Sequence, residues 1–137
     1  MLSKKPILLI EDNEVDVKAI QRALDQIKVS NPLIAVTDGL KALDYLKDPK
    51  NARPRIILLD LNLPEMSGVE FLKATRDDRE MRMIPVVVLS TSSDAKDKLD
   101  TFNLGVAGFI RKPLEYKDFV KVIKTINLYW SLSEIPD

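Results

Sequence analysis

The sequence predicts an α/β fold built on a doubly wound, five-stranded parallel sheet, and three observations predict it. Five short apolar runs alternate along the chain with stretches of helical period, the pattern of strand–helix–strand crossovers. Two of these runs, Ile7-Leu8-Leu9-Ile10 and Ile56-Ile57-Leu58-Leu59, are continuously apolar, as expected of strands covered on both faces. The second of them ends on a carboxylate, Asp60, and Pro64 then stops any further ladder. Burying an unpartnered charge there is costly, so Asp60 is better read as part of a site at the strand ends, where open α/β sheets place their ligands.

In chain order, the first strand follows Pro6 and ends on Glu11-Asp12, and Asn13 is placed to cap the next helix. That helix carries Val17, Ile20, Leu24 and Ile27 on one face and Asp16, Lys18, Gln21, Arg22 and Asp25 on the other, and Ser30-Asn31-Pro32 ends it. Residues 33–37 form the second strand. Asp38-Gly39 opens a short helix with Leu40, Leu43 and Leu46 inward, and residues 48–54 are a surface loop. After the Asp60 strand, Ser67 and Glu70 have capping-box spacing, so a helix begins near Gly68 with Phe71 and Leu72 inward. The fourth strand, Pro85 with Val86 to Leu89, ends on the hydroxyls Ser90, Thr91, Ser92 and Ser93. A weakly apolar helix over residues 94–104 has Leu99 and Phe102 as its anchors and Gly105 beyond its end. Residues 107–111 are a short fifth strand leading to Lys112-Pro113. The last helix, residues 115–132, carries Phe119, Val120, Ile123, Ile126 and Trp130 on one stripe and Val122, Ile126 and Tyr129 on a second. A single domain over residues 1–137 is expected, with a core over about residues 5–127.

Composition narrows the chemistry. The 137 residues hold 21 basic and 21 acidic side chains, so no net field recruits nucleic acid or an anionic membrane. A mean hydropathy of −0.08 and the absence of any long apolar run point to a soluble, cytoplasmic protein without a membrane span. There is no Cys and no His, which removes thiol chemistry, Cys/His zinc sites and an imidazole base. Carboxylates, lysines, hydroxyls and hard oxygen-bound cations remain.

In a parallel sheet the carboxyl ends of all strands share one edge. Four of the five strands end there on a chemically capable residue: Glu11/Asp12, Asp60, Ser90 and Lys112. Three neighbouring carboxylates repel unless a cation intervenes, and with few soft ligands available Mg²⁺ is the natural choice. Mg²⁺ beside a carboxylate, an ammonium and a hydroxyl is suited to a phosphoryl group, with the carboxylate as nucleophile.

The segments Ile-Leu-Leu-Ile-Glu-Asp-Asn (7–13), Leu-Leu-Asp-Leu-Asn-Leu-Pro-Glu-Met-Ser-Gly (58–68), Pro-Val-Val-Val-Leu-Ser (85–90) and Gly-Phe-Ile-Arg-Lys-Pro (108–113) resemble those of response-regulator receiver domains. The resemblance implies a flavodoxin-like strand order 2-1-3-4-5. It implies that Asp60 accepts a phosphoryl group from a sensor histidine kinase or phosphotransfer protein. Glu11, Asp12 and Asp60, with the backbone carbonyl of Asn62, would hold Mg²⁺; Ser90 and Lys112 would engage the phosphoryl oxygens, and Phe109 would be the aromatic switch. A cis Lys112–Pro113 bond is also implied. Glu11 stands where Asp is more usual, which suggests a water-mediated metal contact, and Thr91 is bulkier than the residue common after the switch serine. Asn62 and Ser92, neither acidic nor strongly basic, suggest slow self-dephosphorylation.

Glu-Asp-Asn at 11–13, Asp-Leu-Asn-Leu-Pro at 60–64, Val-Val-Val-Leu-Ser-Thr-Ser at 86–92 and Tyr129-Trp130 further resemble stand-alone receivers paired with bacterial phytochrome-type kinases. That group implies a homodimer formed through the last helices and strand, and an output exerted by protein contact rather than by an attached domain. Two other readings use the same residues. A haloacid-dehalogenase-type phosphatase needs a second acid two residues after the nucleophile, where this chain has Asn62. A pseudo-receiver would be expected to lack one of Glu11, Asp12, Asp60 or Lys112.

Overall fold

A computed structural model describes residues 4–92, 94–113 and 115–134. Five strands, β1 (Ile7–Ile10), β2 (Leu33–Val36), β3 (Ile56–Leu59), β4 (Val86–Ser90) and β5 (Gly108–Arg111), alternate with five helices. The helices are α1 (Glu14–Gln26), α2 (Gly39–Lys47), α3 (Gly68–Arg76), α4 (Ala95–Asn103) and α5 (Tyr116–Leu132), and a short 3₁₀ turn, Met81–Met83, precedes β4. All pairings are parallel and the order is β2-β1-β3-β4-β5, the expected arrangement.

Alternation along each central strand divides the core into two layers. Leu8, Ile10, Ile57, Leu59, Val86 and Val88 face one side and pack with Leu43, Phe71 and Leu72 from α2 and α3. Ile7, Leu9, Ile56, Leu58, Val87 and Leu89 face the other, against Ile20 and Leu24 of α1 and Phe119 and Ile123 of α5. β1, β3 and β4 are therefore buried throughout, whereas the edge strands β2 and β5 are only half covered.

The local signals act as expected at most helix ends. Asn13 Oδ1 accepts from the amides of Val15 and Asp16, and Ser67 and Glu70 form a reciprocal capping box at α3. Gly105 adopts φ +79° just past α4. Other expectations are corrected. Leu99 and Phe102 do not anchor α4: they are 62% and 54% exposed, and the buried residue of that helix is Thr101. Its hydroxyl donates back to the carbonyls of Asp97 and Lys98, which lets a polar side chain take the inward position. Leu40 is likewise exposed, whereas Leu43 is buried and Leu46 packs on the core as expected, with Ala42 buried beside them. In both helices the sparse apolar spacing cannot say which flank meets the sheet. The Lys112–Pro113 bond is trans, as is every other described peptide bond, in keeping with the intrinsic preference even before proline. At the end of α5 the two aromatics meet edge to face, but Trp130 packs on the α1/α5 layer while Tyr129 is exposed. Ser93 and residues 135–137, named in the sequence expectations, lie outside the described residues. Among the described residues no helix is long and apolar enough to cross a membrane.

One glycine fixes the path from β3 into α3. A Cβ at Gly68 would lie 2.7 Å from the carbonyl oxygen of Asp60 and 2.8 Å from Leu61 Cα, both backbone atoms with little freedom to yield. At Gly108 the nearest atom to an added Cβ is Val87 Cγ1 at 3.9 Å, an ordinary contact. Gly68→Ala is therefore expected to lower stability by about 1–3 kcal/mol in urea denaturation, with Gly108→Ala within about 0.5 kcal/mol of the parent. Equal midpoints for the two variants would contradict the close approach.

Candidate functional site

The sheet register brings the strand ends level. Ile10 pairs with both Val36 and Leu59, so the chain leaves β1 and β3 side by side as Glu11 and Asp60. The ladder runs one step further: the Asp60 amide donates to the Ile10 carbonyl at 3.0 Å and the Glu11 amide to the Val36 carbonyl at 2.9 Å. Across the sheet, the Lys112 amide donates to the Ser90 carbonyl at 2.8 Å, which fixes where the lysine leaves β5.

From there the Lys112 ammonium reaches back over β4 into the acidic cluster. It donates to Glu11 Oε1, to Asp16 Oδ2 at 2.8 Å and to Asp60 Oδ2 at 3.3 Å. The lysine side chain is 6% exposed, and those of Glu11 and Asp60 are also buried. The other Asp60 oxygen accepts the Asn62 amide at 3.1 Å, which ties the carboxylate to the loop after β3. Glu11, Asp12 and Asp60 each place one carboxylate oxygen within 4.8 Å of the others, with Asp12 open to solvent. This is an all-oxygen donor set of the kind that hard divalent cations take, so the residues present fit such an ion.

Burial and charge pull these groups in different directions. Burial pushes Glu11 up to about 7; the Lys112 hydrogen bond opposes the rise and the neighbouring Asp60 adds to it. Burial alone would pull Lys112 down, but hydrogen bonds to Asp16 and Glu11 and the charges of Asp60 and Glu11 outweigh it and hold the ammonium above its ordinary value. The lysine thus stays charged, and Glu11 is the group that a further cation would relieve.

Ser90 is fully buried at the end of β4, and its Oγ accepts the Ser92 amide at 3.2 Å. Ser92 in turn donates its hydroxyl to Asp97 Oδ2 in the first turn of α4 at 2.7 Å. Phe109 is half-buried on β5, and the next α4 residue, Lys98, places its ammonium 6.0 Å from the ring centroid. Thr91 is exposed.

The structure thus gathers Glu11, Asp12, Asp60 and Lys112 into one cluster at the sheet edge, with Ser90, Asn62 and Phe109 on the adjoining elements. Two participants fall outside the sequence expectations. Asp16, assigned to the solvent face of its helix, is 24% exposed and bonded to Lys112. The available signal is its place in the first turn of α1, just beyond the Glu11-Asp12 pair, where a helix leaving β1 still overhangs the sheet edge. Asp97 offers no such signal, because its contact depends on the course of the β4–α4 loop.

Comparison with known proteins agrees with this geometry. Residues 7–124 match the model of the response regulator receiver domain. The chain is 35% identical over 130 residues to response regulator Rcp1 of Synechocystis sp., covering 92% of this chain and 88% of that protein. Among solved structures, the phosphorylated cyanobacterial phytochrome response regulator RcpA superposes with a TM-score of 0.92 at 36% identity, covering 98% of this chain and all of that one. The Mn²⁺-bound form of Rcp1 gives 0.89 at 34% identity, covering 97% and 99%. With the strand order, the acidic edge and the family match in agreement over most of its length, the chain belongs to the response regulator receiver domains, and its relatives include regulators linked to phytochromes.

Proposed function

We propose that the protein is a phosphoryl-accepting switch of a two-component relay, with Asp60 as the acceptor. The observation that carries this reading is the convergence of Asp60, Glu11 and Lys112, from the ends of β3, β1 and β5, into one buried contact network. A carboxylate oxygen of Asp60 attacks the phosphorus of a phosphohistidine, forming an acyl phosphate as the bond to the donor nitrogen breaks. Glu11, Asp12 and Asp60, with the carbonyl of Asn62, would hold Mg²⁺, which when bound supplies positive charge for the phosphoryl oxygens. Lys112, already touching Asp60 Oδ2, supplies the second positive charge. The donor is a sensor histidine kinase or phosphotransfer protein, and the likeness to the phytochrome response regulator RcpA favours a kinase of the phytochrome type. Hydrolysis of the acyl phosphate is slow, with no acid or strong base at Asn62 or Ser92.

The new phosphoryl group carries about −1.5 to −2 charge. Ser90 turns its hydroxyl toward it, releasing the Ser92 amide, and Phe109 moves inward with it. Both events act on α4, through Ser92–Asp97 and Phe109–Lys98. Output is a change of protein contacts, including those of a homodimer formed on the apolar end of α5, where Leu128, Tyr129 and Leu132 are exposed.

Incubation with acetyl phosphate and Mg²⁺ is expected to add one phosphoryl mass to the intact protein, with no gain for Asp60→Asn or in EDTA. An unchanged mass for the parent protein would overturn the proposal. Mg²⁺ binding also predicts a pH dependence. Because the folded-state value of Glu11 lies above its ordinary 4.5, its contribution to stability is fullest below about 4.5 and is lost as pH rises through about 7 in metal-free protein. Cation binding requires the ionised carboxylate, so the rise in Tm caused by Mg²⁺ should be larger at pH about 7.5 than at about 5.5. A Mg²⁺ effect independent of pH would count against Glu11 as part of the cation site. For the dimer, Tyr129→Asp combined with Leu132→Asp should shift light scattering to the monomer mass, and a monomeric parent protein would remove this part of the proposal.

A further inference from the structure

We propose that Asp16 is a positioning residue for Lys112, holding its ammonium at the rim of the site when Glu11 and Asp60 are taken up by a cation and a phosphoryl group. The inference rests on the phosphoryl-accepting reading above. An ammonium has three hydrogens, and Lys112 directs them to three carboxylates, Glu11, Asp16 and Asp60. Two of these acceptors belong to the trio able to hold a metal; Asp16 does not. Lysine and metal therefore share two of the same carboxylates, and a cation entering the trio leaves Asp16 as the partner whose hold on the ammonium is not contested.

The geometry suits that role. The Asp16–Lys112 contact of 2.8 Å is that of a charge-assisted hydrogen bond and links α1 to the end of β5, 96 residues away. Asp16 is anchored in turn, because its own amide is held by Asn13 Oδ1 at 3.2 Å in the capped first turn. Its partial exposure leaves the carboxylate able to follow the ammonium by a rotamer change, while solvent screens its direct charge effect on the deeper oxygens. Without Asp16, Lys112 would fall back on Glu11 and Asp60 and oppose cation binding there.

A double-mutant cycle on Mg²⁺ affinity, read by isothermal titration calorimetry, separates positioning from simple loss of charge. Asp16→Asn is expected to weaken Mg²⁺ binding by about three- to tenfold when Lys112 is present, and by less than about twofold in a Lys112→Met background. The same loss in both backgrounds, or none in either, would overturn the inference. Phosphoryl uptake provides a second readout with opposite signs for the two explanations. At saturating Mg²⁺, Asp16→Asn should take up phosphoryl from acetyl phosphate about three- to tenfold more slowly than the parent, because the ammonium is misplaced. Removing a negative charge near an anionic donor would by itself speed the reaction, so an equal or faster rate overturns positioning. Should the parent protein take up no phosphoryl group, the functional reading fails, while the Mg²⁺ cycle still decides the role of Asp16.

Discussion

At the carboxyl edge of the sheet one ammonium, that of Lys112, lies among carboxylates drawn from three separate elements, and the arrangement of the site follows from that imbalance. Glu11, Asp12 and Asp60 approach one another because the register of β1 and β3 sets the strand ends level, and the start of α1 brings Asp16 to the same lysine. Of these, Glu11 and Asp60 are deeply buried, and removing the partner of a buried charge typically costs about 3–5 kcal/mol. Lys112 thus acts as a tie between β5, β3, β1 and α1. One ammonium does not balance so many acids, and burial still prevails at Glu11, which is held near 7 despite its bond to the lysine. A site with more acid than base in a poorly solvated place has a built-in affinity for a second cation.

The scaffold meets this electrostatic strain with rigidity where the carboxylates sit and is looser on the flank beside β5. β1, β3 and β4 are buried on both faces, and Gly68 lets α3 press against the backbone that carries Asp60. On the other flank, α4 offers the core only Thr101, leaves Leu99 and Phe102 in solvent, and stands beside an edge strand. Few buried apolar contacts mark an element of low local stability. The rigid strands hold Asp60, Glu11 and Ser90 in place, and the loosely held helix receives the bonds that lead away from Ser90 and Phe109.

What was legible in the sequence follows the same division. Continuous apolar runs identify doubly covered strands because burial on both faces leaves no room for alternation, and so β1 and β3 were readable with the acids at their ends. Asn13, Ser67 and Gly105 were readable because capping is local chemistry. α4 was not, since an exposed Leu99 and Phe102 have the same spacing as buried ones and only tertiary contact distinguishes them. Asp16 was misplaced for a related reason. A hydrophobic stripe defines the inward face of a helix against the sheet, but the first turn of α1 has a second neighbour, the site above the sheet edge, to which apolar periodicity is blind.

The buried serine indicates how such a site can report a change of charge. In the present arrangement Ser90 Oγ accepts the Ser92 amide, which leaves its own proton available to donate. A phosphoryl group on Asp60 would offer a strong acceptor, and the amide of Ser92 would lose its partner if the hydroxyl rotated away. An amide in a half-buried loop does not remain unpaired at no cost, so the loop must rearrange, and its next bond is the one from the Ser92 hydroxyl to Asp97. The same turn of α4 holds Lys98 over Phe109, so the helix meets the serine and the aromatic through adjacent residues. In the proposed switch, a local exchange of hydrogen-bond acceptors at the end of β4 thus becomes a displacement of a helix, because the element at the end of the chain of bonds is the one with least core to hold it.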